Sequence, residues 1–339
     1  MSFDYLDKDW RDISQITECC IKIDDKFQDF ASLSRYLYII IIEWNRDYPL
    51  PSIPTGPLVI EFMCDYNFPL HNLPSSIEII NINSDYKFPL DNLPNIFELQ
   101  IHSYCMYEYS HPLNFLPLST KILNIRHCIN QESANLPIKL KSLDISSKTF
   151  LDEVVIYPPE LEKLILDNPI TADSNENERL ERYFNLAELP LTLKILTLPQ
   201  IEISGLDAIL SRLINLEELH IPYYFPNIIL EYPPNLKKLY MFIDVHDTNR
   251  FELVNMPPSG HNGPLEAIAA SNIEYLELHE NKNLSIINYL PKSLKTLTIL
   301  ETHHERYQIA KQFPHIEIVV INDWDYREDM INAYRDEYF

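Results

Sequence analysis

Leu136-Pro-Ile-Lys-Leu140-Lys-Ser-Leu143-Asp-Ile145 is the stretch on which the reading of this chain turns. Leu-Pro opens a rigid turn, because proline fixes φ and has no N–H to donate. A leucine returns three residues after the proline. The stretch then closes on Leu143 and Ile145, two apolar residues separated by a polar one. Alternate residues of a strand point to opposite faces, so this spacing sends Leu143 and Ile145 into a core and leaves Asp144 outside. A segment this short cannot bury such a face by itself.

Comparing the chain with itself finds the partners that bury it. Copies of Leu-Pro-x-x-Leu-x-x-Leu-x-Leu/Ile begin at Leu73, Leu116, Leu136, Tyr157, Leu189, Tyr232 and Leu290. The closing pairs are Ile40/Ile42, Ile60/Phe62, Ile80/Ile82, Leu99/Ile101, Leu123/Ile125, Leu143/Ile145, Leu164/Leu166, Leu196/Leu198, Leu219/Ile221, Leu239/Met241, Leu276/Leu278, Leu297/Ile299 and Val319/Ile321. Most lie 19–24 residues apart, near the leucine-rich-repeat period of about 20–29. Stacking such units makes one continuous core with a parallel sheet along one side. The expected fold is an α/β repeat solenoid, a leucine-rich-repeat arc with the sheet on its concave face. A doubly wound α/β fold would need a helix after nearly every strand, and Pro89 and Pro94 deny one to residues 83–95.

A second signature recurs early: Asp65-Tyr-Asn-Phe-Pro-Leu70, then Asp85-Tyr-Lys-Phe-Pro-Leu90, with weaker echoes at Asp47-Tyr-Pro-Leu50 and Tyr109-Ser-His-Pro-Leu113. With Leu290-Pro-Lys-Ser-Leu-Lys-Thr-Leu297, this resembles the FNIP repeat, a leucine-rich-repeat variant of amoebae and giant viruses. Many such proteins place an F-box before the repeats, whereas no F-box-like segment precedes the first good unit here. The resemblance implies a protein-binding receptor or scaffold in an amoebal or viral setting.

The convex side is expected to be extended and proline-stiffened in the N-terminal half and to carry short helices in the C-terminal half. Helix starts are read at Ser204-Gly-Leu-Asp207, Pro264 and Thr302-His-His-Glu305, each followed by apolar residues at helical spacing. Residues 1–29 read as an N-terminal cap or a degenerate first repeat, 30–322 as the solenoid, and 323–339 as a C-terminal capping helix. Inserts fall near 168–188 and 243–270.

Composition excludes several function classes. With 50 acidic residues against 27 basic ones, the formal charge of −23 repels phosphate backbones and anionic lipids and favours a basic protein partner. No nucleic acid and no membrane are expected. Four glycines argue against glycine-cradled phosphate sites. The five cysteines form no CxxC pair, and the acidic N-terminus reads unlike a signal peptide, so the expected location is intracellular: the cytoplasm, or for a viral protein the host cytoplasm or virion. His303-His304 with His279 or His315 is weighed as a metal set and set aside, because adjacent helical residues point apart. No cofactor, metal or catalytic motif is expected.

What remains is the outward row of the strands. Its early members, Ile39, Ile41, Val59, Met63 and Ile79, are apolar and suited to burial beneath the N-terminal segment. Its middle and late members include Arg126, Lys163, His220, Lys238, Tyr240, Phe242, Tyr275 and His279, and aromatic and cationic side chains of this kind anchor protein interfaces. These eight are the candidate partner-binding residues. Tyr240 has a purely structural alternative, stacking along its row. The expected function is a non-enzymatic protein-binding scaffold or receptor. The alternative is a structural component of a virion or other large assembly.

Overall fold

The computed structural model describes residues 20–24, 38–43, 49–50, 52–53, 55–63, 66, 68–82, 86–101, 109–125, 128, 131–133, 136–146, 155–167, 186–198, 206–222, 231–242, 263–279, 287–300 and 306–321. The expected C-terminal capping helix, most of the 168–188 insert and residues 243–262 lie outside them.

Among the described residues, fourteen strands pair in sequence order into one sheet: β1(Cys20–Asp24), β2(Ile39–Glu43), β3(Val59–Phe62), β4(Ile79–Ile82), β5(Glu98–Ile101), β6(Ile122–Asn124), β7(Ser142–Ser146), β8(Lys163–Asp167), β9(Ile195–Thr197), β10(Glu218–Pro222), β11(Lys238–Phe242), β12(Tyr275–His279), β13(Thr296–Leu300) and β14(Glu317–Ile321). Every pairing is parallel, and the architecture is a repeat solenoid. Every strand returns in the same direction because each unit goes once round and comes back beside its predecessor.

The recurring turn explains the motif. The Leu140 N–H donates to Pro137 O at 3.0 Å, and the same bond recurs from Ile77 to Pro74, Thr120 to Pro117, Leu161 to Pro158, Leu193 to Pro190, Leu236 to Pro233 and Leu294 to Pro291. Proline thus contributes the carbonyl that closes the turn, at a position where its missing N–H costs nothing. The turn delivers the next leucine inward, and Leu140, Leu161, Leu193, Leu236 and Leu294 are all buried.

The closing pairs stack in register from Ile40/Ile42 to Leu297/Ile299 and line one continuous core. The last pair is corrected. β14 aligns Ile318 with Leu297 and Val320 with Ile299, so Val319 and Ile321 belong to the outward rows. Ile39 and Val59, outward in register, are nonetheless buried, whereas Met63 is exposed.

Opposite the sheet, Tyr66, Tyr86 and Tyr109 of the early signature are buried with Leu70, Leu90 and Leu113. An extended return strip must satisfy its backbone groups without a ladder. Side chains do this: the Leu50 N–H donates to the Tyr66 hydroxyl at 2.9 Å, and Tyr109 Oη donates to Phe88 O at 3.2 Å. One unit on, the Leu113 N–H donates to Gln131 Oε1, whose amide donates in turn to His111 O. Further along, the return side carries α1(Leu206–Arg212), α2(Gly263–Ala270) and α3(Arg306–Gln312). These bury Leu206 and Leu210, Ala267 and Ile268, and Ile309 respectively. Among the described residues, no helix is long and apolar enough to cross a membrane.

Candidate functional site

Register decides which outward side chains meet. One row runs Ile165, Thr197, His220, Tyr240, Glu277, Thr298; the neighbouring row runs Lys163, Ile195, Glu218, Lys238, Tyr275, Thr296. Parallel strands lie about 4.8 Å apart, close enough for planar rings on adjacent strands to touch.

They do at β10–β12. The His220 and Tyr240 rings lie face to face, centroids 4.0 Å apart and planes 3° from parallel. Tyr240 meets Tyr275 on its other side at 5.2 Å and 40°. Carboxylates hold both ends of this three-ring array. His220 Nε2–H donates to Glu218 Oε1 at 2.8 Å, and Lys238 Nζ lies 3.1 Å from the other Glu218 oxygen. At the far end Tyr275 Oη donates to Glu277 Oε2 and accepts from the buried Thr298 hydroxyl at 3.0 Å.

The ionisation states follow from these contacts. The hydrogen bond from His220, with the Lys238 ammonium adding to it, holds the Glu218 carboxyl down at about 2 despite its partial burial. Burial pushes the Tyr240 phenol well above its ordinary value, and the carboxylates of Glu218 and Glu277 push the same way. Tyr275 is pushed up to about 12, by burial first and then by its bond to Glu277. Both phenols are therefore neutral hydrogen-bonding groups at neutral pH.

The structure brings together four of the eight candidates: His220, Lys238, Tyr240 and Tyr275. Lys163 stands apart, on β8, two strands from β10. Phe242 and His279 are register partners at the ends of β11 and β12, but their side chains lie outside the described residues, as does Arg126. Two members escape a reading of the sequence. Glu218 looks like one more solvated acid, and Thr298 like an ordinary strand threonine. The signal for Glu218 is its column: aligned units place it directly beside Lys238. Among the described residues, no group of three or more His, Cys, Asp or Glu could hold a metal ion. The imidazole is bonded through Nε2 to Glu218 and covered on one face by Tyr240, an arrangement that fixes both rings.

No protein-family model matches the chain, and no curated protein matches its sequence.

Proposed function

We propose that this chain is a leucine-rich-repeat scaffold of the FNIP-like kind, which binds a protein partner on the concave face of its sheet and catalyses no reaction on it. The observation that carries this reading is the face-to-face stack of His220 on Tyr240, continued by Tyr275 and locked at both ends by carboxylates. Binding surfaces gain affinity when their aromatic anchors are already held in place, because little side-chain entropy is then lost on association. The rings are only partly buried, so part of the stack's surface is open to a ligand lying across β10–β12. A chain of net charge −23 draws a basic partner to this face. The buried, unpaired Cys128 suits a reducing, intracellular location.

A crosslinking pull-down from the native source, made with the wild-type chain and with Tyr240→Ala, tests the reading. The variant should retain the fold and weaken the captured complex by about 1–3 kcal/mol. Full affinity in Tyr240→Ala would reject this face as the binding site.

A further inference from the structure

The turn edge of the solenoid carries a second surface, separate from the aromatic face. In six successive units the residue two places before the turn-closing residue is apolar and points outward: Leu118, Ile138, Pro159, Leu191, Ile214 and Pro234. Leu118 is 71% exposed, Ile138 60%, and Leu191 and Ile214 53% each. Pro94 continues this column one unit earlier, and the ribbon is bounded by Ser75 in the unit before that and by Ser271 one unit after Pro234. Its backbone is fixed from within. Thr192 Oγ1 donates to Pro159 O at 3.1 Å, and Asn215, Asn235 and Asn272 donate to the carbonyls of Leu191, Ile214 and Pro234 at 2.8, 2.8 and 3.2 Å.

Beside the ribbon runs a charged column, Lys121, Lys141, Glu162, Lys194, Glu217, Lys237, linked unit to unit through backbone bonds. Glu162 pairs with both Lys141 and Lys194. The charged column and the polar residues that follow the ribbon in each turn, Thr192, Asn215 and Asn235, line an open groove of about 460 Å³ together with Glu160. Column and groove alternate in charge, with Lys141, Lys194 and Lys237 set among Glu160, Glu162 and Glu217, so opposite charges can meet across a contact here.

We propose that this edge docks a second copy of the same chain, antiparallel, about a two-fold axis between β8 and β9. A two-fold contact must be self-complementary, and the four central units of this surface are. Rotation about that axis sets Pro159 against Leu191 of the second copy, Ile138 against Ile214 and Leu118 against Pro234. The same rotation sets Glu162 opposite Lys194 and Lys141 opposite Glu217; at the ends it sets Lys121 opposite Lys237, whose ammonium is paired with Glu274 of its own chain. Long apolar residues exposed in an unbroken line and rimmed by charge are characteristic of a contact surface. The strip is roughly 24 Å long at strand spacing, small beside the about 800 Å² per partner of a standard interface. The dimer therefore dissociates on dilution.

Sedimentation equilibrium of the full chain, over about 1–200 µM, should find a reversible monomer–dimer equilibrium. Leu191→Glu and Ile138→Glu should each weaken it by at least about tenfold, with the circular dichroism spectrum and thermal unfolding unchanged. Charge exchange tests the axis without touching the apolar ribbon. Lys141→Glu alone and Glu217→Lys alone should each be monomeric, because each places like charges opposite one another in its own dimer. Their equimolar mixture should dimerise, because both contacts then join opposite charges. A chain that stays monomeric throughout, a dimer indifferent to Leu191→Glu, or a mixture that fails to associate would each overturn the proposal.

Discussion

His220 and Tyr240 stack face to face across β10 and β11 at 4.0 Å and 3°. Adjacent strands of a parallel sheet hold equivalent residues side by side, so a ring in one unit faces a ring in the next once register is fixed. Such a contact should be worth about 0.5–1.5 kcal/mol beyond the area it buries. The measurement is a double-mutant cycle of His220→Ala and Tyr240→Ala in denaturant unfolding. Coupling of that size is expected, because the cycle cancels the separate cost of depriving Glu218 of its donor. Additive single-site effects would mean that the two rings contribute independently.

Glu218 makes this part of the sheet sensitive to acid. Its folded pKa is about 2, below the ordinary 4.5, chiefly because His220 donates to it. A depressed carboxyl contributes stability that is complete above the unfolded pKa and is lost as pH falls through the folded one. The contribution should therefore fade from about pH 4.5 down to 2. Glu218→Gln keeps an acceptor for His220 but has no proton to gain. Denaturant midpoints taken across that window should fall less steeply for the variant than for the wild type, and parallel slopes would assign the acid sensitivity to other carboxylates.

The strand register was legible wherever polar residues separate the apolar ones, as in Leu143-Asp144-Ile145 or Leu239-Tyr240-Met241. It failed at Glu317-Ile-Val-Val-Ile321, where an uninterrupted apolar run fits two registers one residue apart. There the backbone decides: Glu317 N–H donates to Lys295 O, which brings Ile318 beside Leu297. The aromatic members of the site were visible as outward residues of aligned columns. Their carboxylate supports were not, because a glutamate next to a lysine column is indistinguishable in sequence from surface charge until strand neighbours are known. The partners of the early return strip were hidden for a related reason: the Tyr66 hydroxyl serves Leu50 in the preceding unit, a contact between units rather than within one.

Core positions carry a second kind of prediction. Leu143 and Leu196 are completely buried on β7 and β9. Leu143→Ala or Leu196→Ala should cost about 2–5 kcal/mol in denaturant unfolding. Because each unit touches mainly its neighbours, hydrogen exchange should rise most in β6–β8 for the first and β8–β10 for the second. A uniform rise along the whole sheet would instead indicate one fully cooperative unit.

The polar residue before each turn-closing leucine explains part of what joins one unit to the next. Asn235 Nδ2 donates to Ile214 O at 2.8 Å, and Ser293 Oγ donates to Ile273 O at 2.8 Å. Each bond occupies a carbonyl of the preceding unit's turn edge that the strand ladder does not reach. Asn235→Ala should lose about 0.5–1.5 kcal/mol, mostly at the junction between the Leu213–Leu216 turn and the next. Ser293 sits in a part-buried setting whereas Asn235 is exposed, so water can replace the lost donor at Ile214 O more readily than at Ile273 O. Ser293→Ala should therefore be the more damaging of the two, and Ser293→Thr, which keeps the hydroxyl, should recover much of the loss. Equal effects of the two alanine variants on the denaturant midpoint, or no recovery with threonine, would show that these side chains do not act as clips between units.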